Sequence, residues 1–255
     1  MSGLAATERF SNRVSDYARF RPDYPAALWS ALAAGAELAA ASVVADIGAG
    51  TGISCRPLLQ AGHTVIAVEP NAAMRAVAAQ DLAVWPAFRA QDGRADATGL
   101  AEASVDLWLA AQAFHWFDPE AARAEAQRIL RGRKLAAIVW NLRRRGGTPF
   151  LDGYEALLLR HGTDYSSVAE RYADPVALQR FFGGEHYRVQ SFEHRQQLDL
   201  AALRGRLRSS SYTPPPEHPG HAAMLAALDD LHAAHACDGV VDFDYDSVLY
   251  LGEVR

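Results

Sequence analysis

The segment VADIGAGTG holds the first residues that could do chemistry: Asp46, followed by Gly48, Gly50 and Gly52. Glycines in such a turn allow positive backbone φ angles and let a ligand approach the bare main chain. Glu69 stands seventeen residues after Gly52, at the end of a second apolar run. A carboxylate at that place can accept hydrogen bonds from both hydroxyls of a ribose. The spacing therefore predicts a nucleoside site.

The spacing of the glycines also separates the classes of nucleotide. A dinucleotide fingerprint, G-x-G-x-x-G, would need its third glycine at position 53, which is Ile53. Asp46 inside the turn would repel a pyrophosphate, whereas it would suit a cationic ligand with an amino group. S-adenosylmethionine has a ribose, an ammonium and a sulfonium, and it has no phosphate. The pattern favours S-adenosylmethionine and disfavours a nicotinamide oxidoreductase.

A second candidate lies in AAQAFHWFDPEAA, where an apolar run ends in aromatic residues just before Asp118. Asp118 is a good helix N-cap and Pro119 suits the first helical turn, so the strand is predicted over 105–111 and the aromatic residues form a loop. Ligands of open α/β sheets bind at the carboxyl ends of the strands. His115 in this loop is a candidate general base, and the alternative is that it orders the loop by hydrogen bonds to the backbone.

The elements that would position these residues alternate regularly in the first part of the chain. Apolar, β-branched runs predict strands, and they are separated by segments with helical patterning, at 42–47, 63–70, 84–93, 104–112 and 134–141. Five strands separated by helices predict a parallel, doubly wound α/β sheet. Pro86 argues for an edge position for the third strand. After Asn141 the pattern changes to helices and two further strands.

Composition limits the function classes. The chain has 255 residues, half of them hydrophobic, and a formal net charge of −5, which gives no electrostatic footprint for nucleic acid or an anionic membrane. Two cysteines, Cys55 and Cys237, fit a reducing cytosol rather than a disulfide framework. We see no signal peptide and no apolar run long enough to span a membrane. The expected location is cytoplasmic, and the expected state is a monomer or homodimer.

The stretch VVADIGAGTGISCRPLLQAGHTVIAVEPNAAM resembles the first two motifs of the class I S-adenosylmethionine-dependent methyltransferases. The resemblance continues in YARFRPDYP, SVDLWLAAQAFHWFD, RILRGRKLAAIVWN and the closing strand, and it covers about the first 141 residues well. Within the superfamily the chain is similar to the small-molecule branch that includes trans-aconitate methyltransferase-like proteins. The motifs are specific for the cofactor, S-adenosyl-L-methionine, and not for the substrate.

The resemblance implies a fold. We expect an α/β protein with a doubly wound, seven-stranded, mostly parallel sheet, a Rossmann-like methyltransferase fold with an antiparallel last strand and a helical lid insertion. We expect a single domain, 1–255, whose parts are N-terminal helices at 1–40, a cofactor-binding core at 41–141, a helical lid at 142–185 and 199–238, and final strands at 186–198 and 245–255.

The resemblance also implies roles for individual residues. The aminocarboxypropyl part of the cofactor would be held by Asp46, Gly48, Ala49, Gly50 and Gly52. The other expected contacts are Glu69 to the ribose, Pro70 and Met74 beside the adenine, Ala95 and Asp96 at the adenine edge, Gln112 beneath the methionine part, and Tyr17 and Arg21 closing over it. The family more often has Glu at the position of Asp96. It usually has RPGG where this chain has RGRK, which predicts a tighter connection around Gly132.

Several readings stay open. The run RRR at 143–145 is either a solvated loop or a means to attract an acidic substrate. His232 and His235 share a helix face, but no known zinc pattern is completed, so no metal is expected. The predicted function is methyl transfer to a small-molecule acceptor, an O, N or C nucleophile, by direct displacement. The alternative is a non-catalytic, S-adenosylmethionine-binding regulatory or scaffold protein. A nucleic-acid methyltransferase is disfavoured by the net charge.

Overall fold

The computed structural model describes residues 19–163, 165 and 174–255. Its strands are β1 (Val43–Ile47), β2 (Thr64–Val68), β3 (Phe88–Gln91), β4 (Val105–Ala111), β5 (Leu130–Arg143), β6 (Tyr187–Leu198) and β7 (Val241–Glu253). Its helices are α1 (Ala26–Gly35), α2 (Cys55–Gln60), α3 (Ala72–Asp81), α4 (Pro119–Ile129), α5 (Pro149–His161), α6 (Pro175–Phe182), α7 (Leu200–Arg208) and α8 (Gly220–His235). None of these described helices is long and apolar enough to cross a membrane.

The seven strands form one sheet in the order β3-β2-β1-β4-β5-β7-β6. All pairs among β1 to β5 are parallel, and β7 pairs in antiparallel fashion with both β5 and β6. This confirms the expected doubly wound, mostly parallel sheet with an antiparallel last strand. It also confirms the edge position of β3, which follows Pro86 and spans four residues.

The central strands are buried on both faces, because helices cover both sides of the sheet. Along β1, Val44 packs in one core with α1 and α2, whereas Ala45 packs in a second core with α4 and α6. Side chains of β4 also alternate between the two cores, since Leu109 packs in the first core and Trp108 packs in the second. A strand in such a position reads as a continuous apolar run, which is how β1 and β4 appear in the sequence.

The helix starts follow the sequence signals. The Asn71 side chain accepts hydrogen bonds from the backbone N–H groups of Ala73 and Met74, and Asp118 caps α4 in the same way. At the other end of α4, β5 begins at the very next residue, Leu130. The connection is therefore tight, as the shortened RGRK segment predicts, and Gly132 adopts a φ of +59° within it.

Three expected boundaries need correction. Strand β5 continues past Asn141 to Arg143, so the first arginine of the RRR run is a strand residue rather than a loop residue. Strand β7 starts at Val241 and not near 245, because Leu198 to Tyr187 of β6 pair with it along its length. Helix α6 lies inside the expected lid range but packs against α4 and the sheet, since Phe181 and Phe182 belong to the second core.

The remaining lid helices have a core of their own. Buried side chains of α5, α7 and α8 pack there against the first half of β7, among them Tyr154, Leu203, Leu228 and Phe243. Strand β7 also pairs with β5 in the main sheet. The third core is therefore attached to the main sheet through β7. The lid core therefore stands above the carboxyl end of β5.

The start of the described chain rests on this lid core. A Cβ on Gly205 of α7 would lie 2.1 Å from the ring of Phe20, so only a glycine lets this ring sit so close to the helix. The Arg21 guanidinium donates to the carbonyl of Ser209 at 2.7 Å. Tyr17 and the expected N-terminal helix before it lie outside the described residues.

Candidate active site

The glycine turn joins β1 to α2 and adopts the backbone conformation that the sequence predicts. Gly48, Gly50 and Gly52 have φ angles of +69°, +57° and +81°, a region that residues with a Cβ rarely enter. The Gly48 N–H donates to the carbonyl of Val68 at 2.8 Å, which ties the turn to the end of β2. A Cβ on Gly48 would lie 2.6 Å from the Cβ of Ala113. The turn is thus fitted against the loop that follows β4.

Glu69 lies at the end of β2 and holds the turn from below. One carboxylate oxygen accepts the Gly50 N–H at 2.9 Å, and the other accepts the Asn71 N–H at 2.8 Å. Burial raises the pKa of Glu69, and the two N–H donors oppose that shift. Each oxygen keeps a second lone pair for another donor. The carboxylate is therefore fixed in orientation and can still accept hydrogen bonds from a ligand.

Asp46 lies under the turn, fully buried. One of its oxygens accepts hydrogen bonds from Ser54 Oγ at 2.5 Å and from Cys55 Sγ at 3.2 Å. The other oxygen, Oδ1, is buried and has no partner among the described residues. Burial raises the pKa of Asp46 to about 6 against these hydrogen bonds. A buried acceptor without a donor costs free energy, which a ligand that carries a donor would recover.

The loop after β4 closes the other side of the turn. Gln112 has a φ of +60°, unusual for a residue with a side chain, and its amide donates to the carbonyl of Asn141 at 3.1 Å. A short 3-10 helix follows, Phe114–Trp116. The His115 ring lies 4.6 Å from the Trp116 ring and 5.2 Å from that of Trp140, measured between centroids. The predicted strand end and loop are confirmed.

A cavity of about 280 Å³ connects this region to the lid. At one end it is lined by Gly48, Ala49, Ser54 and Gln112, which belong to the turn and to the loop after β4. At the other end its lining comes from the lid and the segments that lead to it: Arg21, Asn141, Arg143, Arg145, Tyr165, Arg206 and Tyr212. No described lining residue is an acid. The predicted contacts Arg21, Gly48, Ala49 and Gln112 are thus brought together around one cavity.

The other predicted residues are not among the described residues that line this cavity. Met74 and Ala95 are buried, whereas Pro70 is partly exposed at the end of β2. Asp96 forms an ion pair with Arg94, whose guanidinium lowers the pKa of that carboxyl. His115 does not belong to the described lining of the cavity. Its role as a base stays a prediction, as do the adenine contacts.

Sequence reasoning missed Arg206, Tyr165 and Tyr212. A signal for Arg206 is present, because it falls between Leu203 and Leu207 on the apolar face of α7, where a charge is unexpected. The two tyrosines come from segments that are distant from each other in sequence, yet their rings lie 5.0 Å apart in an edge-on arrangement. No local pattern predicts that contact. The described residues contain no cluster of three or more metal-ligating side chains.

Comparison with known proteins identifies this architecture. Residues 45–138, from the middle of β1 to β5, match the profile of a methyltransferase domain. Within these residues the chain is similar to known methyltransferase domains. An uncharacterized methyltransferase of Mycobacterium tuberculosis strain H37Rv is 40% identical over 134 residues, which are 52% of this chain and 52% of that protein. The chain thus spans about half the length of the curated relatives it matches.

The methyltransferase fold extends beyond the matched domain. A methyltransferase-like protein of Schizosaccharomyces pombe is 32% identical over 168 residues, 65% of this chain and 64% of that protein. The structure of a proposed type II methyltransferase from Anaeromyxobacter dehalogenans superposes with a TM-score of 0.68 at 25% identity, covering 92% of this chain and 98% of that one. The lid and the last two strands therefore belong to the same architecture as the methyltransferase domain.

Replacing Gly48 by alanine should destabilise the methyltransferase domain more than the same change at Gly62. Both glycines have positive φ, and a residue with a Cβ pays about 1–2 kcal/mol to adopt that left-handed conformation. The free energy of unfolding of each alanine variant should therefore fall by this amount. A Cβ on Gly62 meets nothing within 4 Å, whereas on Gly48 it collides with Ala113. We expect Gly48→Ala to lose a further ~1–3 kcal/mol through overpacking. Urea unfolding measures both, and equal losses would show that the turn does not pack on the loop as described.

Asp46 should make stability depend on pH. Its folded pKa of about 6 exceeds the ordinary value of 3.8, so the folded state keeps a proton that the unfolded state has released between those values. The free energy of unfolding from this group therefore falls as pH rises from about 4 to 6, by about 3 kcal/mol for a shift of about two pKa units. Relative to the wild type, Asp46→Asn should become more stable across that range in urea titrations. A difference that does not change with pH would contradict the assignment.

Proposed function

We propose that this chain is an S-adenosylmethionine-dependent methyltransferase that acts on a small-molecule acceptor. The observation that carries the proposal is the pair of buried acids around the glycine turn, Asp46 with one unpartnered oxygen and Glu69 held by two backbone donors. Together they offer acceptors for an ammonium group and for ribose hydroxyls beside a turn whose three glycines leave part of the main chain bare. A solved structure of the same fold, a phosphoethanolamine N-methyltransferase of Haemonchus contortus, is a complex with S-adenosylhomocysteine.

The residues present fit the cofactor. A carboxylate inside the turn disfavours the phosphates of a dinucleotide, and it suits a ligand whose charge at this end is positive. The aminocarboxypropyl part would lie along Gly48 to Gly52, the ribose at Glu69, and the adenine near Pro70, Met74 and Ala95. When bound, S-adenosylmethionine would supply an activated methyl group on a sulfonium, open to direct displacement by an acceptor atom.

The contribution of the chain is positioning and exclusion of water. Gln112 and the turn residue Ala49 line the cavity on the cofactor side, while Asn141 and Tyr212 line it toward the lid. This lining would hold an acceptor in a fixed orientation, and such positioning supplies much of the rate enhancement of a displacement. Phe114 and Phe117 belong to the loop after β4, where their rings pack against each other and the Phe117 ring lies beside Gly48 of the turn.

A general base is needed only for an acceptor that arrives protonated. His115 is the proposed base for that case, at the carboxyl end of β4. Its ring stacks beside two tryptophans, and a neutral imidazole in this place would also brace the loop. An acceptor that arrives as an anion would need no base, and His115 would then have the bracing role alone.

Glu69→Ala should bind the cofactor about 10–100-fold more weakly, because hydrogen bonds to a charged group contribute about 1.5–3 kcal/mol. Isothermal titration with S-adenosylhomocysteine measures the change. The matched control is Glu102→Ala, an exposed acid just before the amino-terminal end of β4, away from the turn. Circular dichroism checks that both variants fold. Unchanged affinity in Glu69→Ala would remove the ribose role.

Methyl transfer itself is tested with S-[methyl-³H]adenosylmethionine and a panel of carboxylates, phenols and amines. Transfer to one chemical class supports the proposal. A wild-type chain that binds the cofactor and transfers no label would indicate the non-catalytic binding protein. If isothermal titration shows binding of NADH and no binding of S-adenosylmethionine, the glycine turn does not bind S-adenosylmethionine and the proposal fails.

A further inference from the structure

Four arginines line the cavity: Arg21, Arg143, Arg145 and Arg206. They come from four separate parts of the chain, namely the segment before α1, the end of β5, the loop after it, and α7. The described lining residues include no aspartate or glutamate, so the cavity wall is positive. A cavity of this charge favours an anionic occupant, because fields from one sign of charge are focused in a cleft with low-dielectric walls.

The charge of Arg143 is neutralised by a carboxylate of the protein itself. Its guanidinium pairs with Glu155 and donates to the Tyr165 hydroxyl at 2.7 Å, and it lies over the ring of Tyr154. Tyr165 in turn donates to Glu155 at 2.6 Å. The charge of Arg143 is therefore balanced inside the protein, and this arginine holds the wall of the cavity in place.

Arg206 is different, because all its described partners are neutral. Only 6% of the residue is exposed. Its Nε donates to the Tyr245 hydroxyl at 3.1 Å and its Nη1 to Ser210 Oγ at 3.0 Å, and the guanidinium lies 5.7 Å from the ring centroid of Phe243. No carboxylate among the described residues pairs with it. Its second terminal nitrogen, Nη2, has no hydrogen-bond partner among them.

A buried cation with neutral partners is costly, since removal from water is compensated well only by an opposite charge. Aromatic faces return part of that cost. The guanidinium keeps both Nη2 hydrogens and one Nη1 hydrogen for a further acceptor, and a carboxylate is the group that best matches these adjacent donors. Arg206 lines the cavity, so a ligand in the cavity can supply this missing anion.

We propose that the methyl acceptor is a small organic acid whose carboxylate binds Arg206, with Arg145, an exposed residue of the cavity lining, as a second positive contact. Tyr165 and Tyr212 border the remaining part of the acceptor with aromatic surface and hydroxyl groups. This inference rests on the proposed function, because it names the substrate class of the same cavity. It assigns to the lid the role of selecting a negative charge.

The experiment measures acceptor binding separately from cofactor binding. The full chain is saturated with S-adenosylhomocysteine and titrated calorimetrically with succinate, citrate, benzoate and phenylacetate, and then with the corresponding amides. We expect at least one acid to bind and its amide not to bind. Labelled methyl transfer from S-adenosylmethionine should select acids from the same panel. Binding of amides as strong as that of acids, or no binding by any of the acids, would overturn the proposal.

Two variants of Arg206 test whether the carboxylate of the acid binds at this residue. Arg206→Met should weaken binding of the acid that the wild type binds by about 10–100-fold, because a charged hydrogen-bond pair is lost. Its affinity for S-adenosylhomocysteine should stay within about twofold. Tyr245 keeps its own acceptor in that variant, Gln196 at 2.9 Å, so the hydroxyl is not left alone. Arg206→Lys, which keeps the charge and loses the planar fork, should fall between the two.

The neighbouring arginines Arg144 and Arg145 provide a control for a folding defect in the Arg206 variants. Arg145→Gln and Arg144→Gln remove the same charge from adjacent positions, but only Arg145 lines the cavity, while Arg144 pairs with Glu193 and Asp246. The first variant should weaken acid binding and the second should not. Equal effects in the pair, or acid affinity unchanged in both Arg206→Met and Arg145→Gln, would overturn the proposal.

The outcomes separate this inference from the proposed function. If Arg206→Met weakens S-adenosylhomocysteine as much as the acid, the arginine holds the carboxylate of the cofactor, and the acceptor assignment fails while the methyltransferase proposal stands. If the wild type does not bind S-adenosylhomocysteine, the proposed function fails. Circular dichroism shows whether Arg206→Met folds, and if it does not, Arg206→Lys and the variants of Arg144 and Arg145 decide.

Discussion

The Glu69 carboxylate is the contact on which the candidate site depends. It accepts one N–H from the glycine turn and one from the cap of α3, and so joins the ends of β1 and β2 to the two helices that start there. Backbone donors in a turn cannot all be satisfied by other backbone, because the chain reverses too sharply. The buried acid supplies the missing acceptor and fixes the turn at the same time. A residue without a side-chain acceptor at this position would leave the Gly50 N–H without its partner.

Much of the sheet could be predicted from local sequence. Buried parallel strands read as apolar runs, and Asn71 and Asp118 mark the starts of α3 and α4 through short-range hydrogen bonds that depend on a few neighbouring residues. The glycine turn and Glu69 were predictable for the same reason, since their geometry is set by a strand, a turn and a helix that follow one another. The alternating Val241, Phe243 and Tyr245 also carried a strand signal, which extends β7 beyond the expected start.

The lid end of the cavity could not be predicted in this way. Arg206 binds Tyr245, thirty-nine residues away, and Arg143 pairs with Glu155 across the start of α5. These contacts exist because β7 runs beside both β5 and β6, and antiparallel pairing over such separations depends on the whole fold rather than on local propensity. For the same reason the local sequence predicted a helix at α6 but did not predict that this helix packs on α4. The lid side of the cavity is therefore the part of the candidate site with the weakest sequence signal.

Arg21 lies between two neighbouring cavities. It lines the cavity described above and also a second, neighbouring cavity bordered by Thr51, Arg56 and His194, and its guanidinium is held by the carbonyl of Ser209 at the end of α7. One side chain thus forms a shared partition. A ligand that displaces it on one side changes the volume and charge available on the other, and linkage requires that the effect be mutual. The two cavities are therefore coupled through the position of one side chain.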